Sequence, residues 1–157
     1  MPGREDYIMK FIALLREAVA QMVRHREQGR YAEALDAAIH AQEKLFSRTT
    51  AELSNLSLEK LIRLLRLDET PADGDEKTLG YAALLQETGR VYAAMDRVPA
   101  AERCFQLALH VMLTVVAAQP VPAAGSLAAM RELLARIPPD QLHPPVVELL
   151  RQVGETA

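Results

Sequence analysis

The chain has no tryptophan, one cysteine and only seven aromatic side chains in 157 residues. Without large rings, a core must be assembled from Leu, Ala, Val, Ile and Met. Ala and Leu are strong helix formers, and runs of β-branched residues are nearly absent apart from Val115-Val116 and Val146-Val147. Composition therefore favours an all-α chain, and the length suits one domain with a real core. The lone thiol, Cys104, cannot close an internal disulfide, which suits a reducing compartment. There is no surplus of positive charge. Eighteen Lys and Arg face 21 Asp and Glu, for a net charge of −3, which argues against nucleic acid as a partner. The imbalance is mild and uneven: residues 1–67 carry an excess of bases, and the rest an excess of acids.

No apolar run approaches the ~20 residues of a membrane span. The opening, MPGREDYIMKFIALLREAVA, starts with acids and is interrupted by Lys10 and Arg16-Glu17. It lacks the basic start and clean apolar stretch of a signal peptide. A cytoplasmic protein with no membrane partner is expected.

Reactive motifs are missing too. There is no Gly-rich phosphate loop, no Gly-x-Ser-x-Gly and no Cys-x-x-Cys. The four histidines, His25, His40, His110 and His143, are dispersed. Asp36 and Glu43 flank His40 at helical spacing, but a di-iron bundle needs several carboxylates and two Glu-x-x-His motifs. Cys104 falls inside a helical stretch, away from the helix N-termini and bases that activate thiols. The expectation is a non-enzyme with no catalytic residues, no metal site and no cofactor.

What is present is helical periodicity. Ile8, Phe11, Ile12, Leu15, Val19, Met22 and Val23 form one stripe on a helix over 5–28. Gly29 stops it, being at ease in the left-handed region. Ala34, Leu35, Ala38, Ala41 and Leu45 mark a second helix over 31–47. The short connection implies an antiparallel pair. Ser57 caps a third helix over 58–67. The segment 68-DETPADGDE-76 holds five acids in nine residues but not the ligand spacing of a calcium loop. It is expected to be a linker, with Asp73 and Glu76 as a capping box for the next helix. Helices over 75–95 and 98–118 follow, the second with Pro99 in its first turn. The segment 120-PVPAAGS-126 breaks the chain. Helices over 127–137 and 145–153 close it, about seven in all.

Within 89-GRVYAAMDRVPAAERCFQLAL-109, Gly89 and Tyr92 share one helix face, and Ala101, Phe105 and Ala108 share another. Small residues let two helices approach; the rings fill the space beside them. These five positions resemble the tetratricopeptide repeat, a helix-turn-helix unit of about 34 residues. The family's opening Trp-x-x-Leu is replaced by Leu85 and Thr88, and its closing Pro by Leu113. A weaker copy lies in 29-GRYAEALDAAIHA-41, where Ala34 and Ala41 match the small positions. Ala38 stands in the place of Phe, and Met22 and His25 in the places of Gly and Tyr. The resemblance covers 79–113 well and 16–45 in part, with 49–76 as an intervening unit that has lost the pattern. Asp6-Tyr7-Ile8-Met9 and 29-GRYAEAL-35 also resemble the opening and first turn of a bacterial family of helical, repeat-like proteins.

The resemblance implies a right-handed stack of antiparallel helix pairs: 5–47, a degenerate unit with its acidic linker over 48–76, 77–118, and a C-terminal capping pair over 120–157. It implies a protein-interaction or assembly role, with the first helix of each pair lining the binding face. Arg16, Arg26, Gln86 and Arg90 are the candidate partner-binding residues. The alternative is self-association as a homodimer, because Val111, Met112, Leu113, Val115 and Val116 make the helix over 98–118 apolar on all sides. A small-molecule or hydrophobic-ligand pocket between helices would use the same surface.

Overall fold

The computed structural model describes residues 2–154, apart from the side chains of Pro2 and Arg4. Among these residues every regular element is a helix: α1 (Pro2–Glu27), α2 (Tyr31–Phe46), α3 (Thr50–Leu53), α4 (Leu58–Arg66), α5 (Pro71–Ala94), α6 (Val98–Val116), α7 (Ala124–Leu134) and α8 (Pro144–Val153). A single 3-10 turn, Pro139–Gln141, lies between α7 and α8. No helix among them is long and apolar enough to cross a membrane.

The ends of the helices follow their local chemistry. Gly29 adopts φ +72° after α1, and Gly154 adopts φ +85° after α8. Ser57 caps α4 by accepting a hydrogen bond from the Lys60 amide. The sequence misplaces the start of α5. Thr70, not Asp73, is the cap: its hydroxyl accepts from the Asp73 amide, and Pro71 takes the first helical position. Residues 71–76 are therefore helix rather than linker. Two of the five acids in 68–76, Glu69 and Asp75, are compensated in place. Arg66 of α4 donates to Asp75 at 2.6 Å, and Gly74 leaves room for the Arg66 side chain. Lys77 pairs with Glu69 at 3.5 Å and sits 4.7 Å above the Phe11 ring. α7 likewise starts three residues before its expected position.

Two turns repeat each other bond for bond. After α1, the Gly29 amide donates to the Arg26 carbonyl and the Arg30 amide to the His25 carbonyl; the Ala34 amide donates to the Arg30 carbonyl. After α5, Asp96, Arg97 and Ala101 donate in the same way to Ala93, Tyr92 and Arg97. Arg30 has φ −92° and ψ 68°, and Arg97 has φ −96° and ψ 72°. Gly29 and Asp96 are both left-handed. Asp is one of the few other residues that tolerates that region.

α5 lies at the centre, packed against α1, α2, α4 and α6. α6 in turn carries α7 and α8. Val111 and Leu113 are fully buried, as nearly are Val115 and Val116. The helix that is apolar on all sides is thus covered within one chain, by α5, α7 and α8, and does not require a second copy to cover it. Gln106 fastens this end. Its amide donates to the Gln141 carbonyl at 3.0 Å and accepts from the His143 amide at 3.0 Å. Gly89 of α5 meets the Phe105 ring of α6 closely enough that a Cβ would lie 2.6 Å from it.

Candidate functional site: the seam between α1 and α5

Leu15 meets Gly80 and Arg26 meets Glu87, so α1 and α5 lie side by side with their chains running the same way. The seam between them has two different ends.

The first end is an open, largely apolar trough of about 290 Å³. Ile12, Leu15 and Val19 of α1 face Leu79, Gly80 and Ala83 of α5. Arg16 and Glu76 stand on opposite rims, both exposed. Gly80 brings the helices together here. A Cβ on it would fall 2.6 Å from a Leu15 methyl group, the end of a flexible side chain that lines the trough. Gly80→Ala is therefore expected to be neutral or to stabilise by about 1 kcal/mol through helix propensity. Thermal unfolding checks it; a fall in Tm would show that Leu15 cannot move.

The second end is sealed by charge. Glu87 is 1% exposed, yet its carboxylate receives Arg26 Nε at 2.7 Å and Arg90 at 3.1 Å. Arg90 continues to Glu132 of α7 at 2.5 Å. The chain Arg26–Glu87–Arg90–Glu132 links α1, α5 and α7. Burial alone would lower the Arg90 pKa, but hydrogen bonds to Glu132 and Glu87 outweigh it and hold the guanidinium above its ordinary value.

The four candidate residues thus have different fates. Arg16 is exposed on the trough rim. Arg26 and Arg90 meet on one carboxylate and are largely occupied within the chain. Gln86 is buried, contrary to expectation, because four helices surround α5 and leave only a narrow strip near Ala83 and Ala93 exposed. Sequence reasoning missed Glu87. Its signal was present: Glu87 falls on the stripe of Leu84 and Val91, where a carboxylate demands buried partners, and Arg90 lies three residues on.

The remaining reactive groups are subdued. Burial pushes the Cys104 thiol up to about 11, with the Arg103 charge opposing. Burial likewise pushes the Tyr81 phenol up to about 12, aided by Cys104. Cys104 should react with iodoacetamide at pH 8 roughly 100-fold more slowly than an exposed thiol. In both groups the folded state holds its proton more tightly than the unfolded chain. Their contribution to stability is therefore full below about pH 9 and is lost as pH rises from 9 toward 12, the thiol's part first and the phenol's after it. Denaturant titrations at pH 8 and pH 10.5 check the sign. His110 is lowered by burial and by His143. Among the described residues, no three of His, Cys, Asp and Glu are grouped to hold a metal ion.

Comparison with protein-family models, curated proteins and solved structures finds no match to this chain.

Proposed function

We infer that the chain is a non-catalytic protein-interaction module built as a tetratricopeptide-like stack of antiparallel helix pairs, and that the α1/α5 trough is its docking face. The observation that carries this reading is the open apolar trough between the first helices of two pairs, with charges on its rims that make no ion pair among the described residues. The repeated turns at Gly29 and Asp96, 67 residues apart, support the pairing, as does the Gly89–Phe105 approach. The parallel run of α1 and α5 is what two first helices of such a stack would show. The reading places the partner in the same compartment as the chain, which we take to be the cytoplasm. A hydrophobic-ligand pocket would use the same trough.

Arg90 is a poor probe of this face, because reversing its charge would strand Glu87. Arg16→Glu and Ala83→Arg change exposed positions instead. A partner retained in stoichiometric amount by the wild-type chain should be lost with either variant and kept with Lys60→Glu on α4. Retention unchanged by both trough variants would contradict the reading.

A further inference from the structure

We propose that the outer groove between α1 and α2 is a self-association surface that seats a second copy of this chain across a two-fold axis. α5 covers one side of the α1–α2 pair, burying Met22, Ala34 and Ala38. The opposite side holds a groove of about 540 Å³ whose floor includes Leu14, Ala18 and Ala37. The outer face of a terminal helix pair is normally polar, since nothing follows to cover it. Here it has an apolar floor between charged rims.

The order of those charges points to a copy of the same chain. On α2, Glu33, Ala37 and Lys44 share one face, with the acid and the base about three turns apart. On α1, Lys10 and Glu17 line the groove about two turns apart, in the reverse order of sign. The α2 edge therefore runs from acid to base, and the groove-lining part of the α1 edge from base to acid, with Arg24 following Glu17 on the same stripe. A two-fold axis turns such an edge onto itself end for end, so that Lys44 meets Glu33 of the second copy and Lys10 meets its Glu17, each twice. Glu17 already holds Arg24 at 3.1 Å, but Lys10, Glu33 and Lys44 make no ion pair among the described residues. Uncompensated charges in this alternating order are what an isologous contact uses to fix register.

Light scattering on the purified full chain tests the proposal. A dimer mass is expected at roughly 100 µM, the range in which modest interfaces assemble. Lys44→Glu should weaken dimerisation at least ~10-fold, because it sets like charges opposite each other twice. Glu33→Lys combined with Lys44→Glu should restore it, because the alternation is then merely inverted. Ala37→Arg should give a monomer with unchanged helical circular dichroism, which separates loss of the contact from loss of the fold. A monomer for the wild-type chain at that concentration would overturn the proposal. So would a dimer indifferent to Lys44→Glu and Ala37→Arg, or a double variant no tighter than Lys44→Glu alone.

Discussion

Glu87→Ala is expected to destabilise the chain by about 3–5 kcal/mol, the usual cost of removing one member of a buried ion pair. For a chain of this size that is a fall in Tm of roughly 10–15 °C. The side chain is 1% exposed, and both Arg26 and Arg90 close on it. Its removal leaves two partly buried guanidinium groups facing each other across the α1/α5 seam with a void between them. Repulsion then adds to lost hydrogen bonding. Glu87→Gln keeps one acceptor and the volume, and should cost clearly less. Arg90→Met should cost less again, because Arg26 still satisfies the carboxylate. Chemical denaturation of the three variants gives the ranking. A Glu87→Ala protein as stable as the wild type would mean that the Arg26 and Arg90 contacts contribute nothing.

Gly89→Leu is expected to cost about 3 kcal/mol, because no atom is free to yield. A Cβ at position 89 would lie 2.6 and 2.8 Å from two atoms of the Phe105 ring. That ring is 3% exposed and belongs to the contact between α5 and α6, the most extensive helix pairing among the described residues. Gly89→Ala should cost less, because the ~1 kcal/mol gained in helix propensity offsets part of the clash. Phe105→Leu in the Gly89→Ala background should recover stability relative to the sum of the single changes, since the smaller side chain accepts the new methyl group. The contrast with Gly80 is informative. Both glycines sit where helices touch, yet the Gly80 neighbour is the end of a flexible leucine that lines the trough, whereas the Gly89 neighbour is a rigid ring. The same substitution should therefore have opposite signs at the two positions.

Helix existence and type were legible because periodicity and small-residue spacing are local signals. Gly29 and Asp96 end their helices as their backbone preferences require, and Gly89 and Phe105 meet as their spacing implies. The start of α5 was misread. Acid density in 68–76 suggested solvent, whereas Arg66 and Lys77, flanking the segment on either side, pair with Asp75 and Glu69 within it. That compensation is a tertiary fact with no local signature. The candidate site was legible in part. Arg16 lies on the trough rim, exposed. Gln86 did not follow, because its burial depends on how many helices surround α5. Arg26 and Arg90 were selected as exposed cations, but 61 residues separate Arg26 from the carboxylate that holds it. Only Glu87, a charge on an apolar stripe, could have announced that pairing in advance.

The central claim is that the open end of the α1/α5 seam, and not the sealed end or the outer face of α6, receives a partner. A photo-crosslinking residue at position 83 in the trough, compared with one at position 107 on the exposed side of α6, tests it most directly in the source cells. Both positions are exposed. The account predicts one discrete crosslinked product from position 83, abolished by Arg16→Glu, and none from position 107. Equal crosslinking from both positions, or a product from position 107 alone, would contradict it.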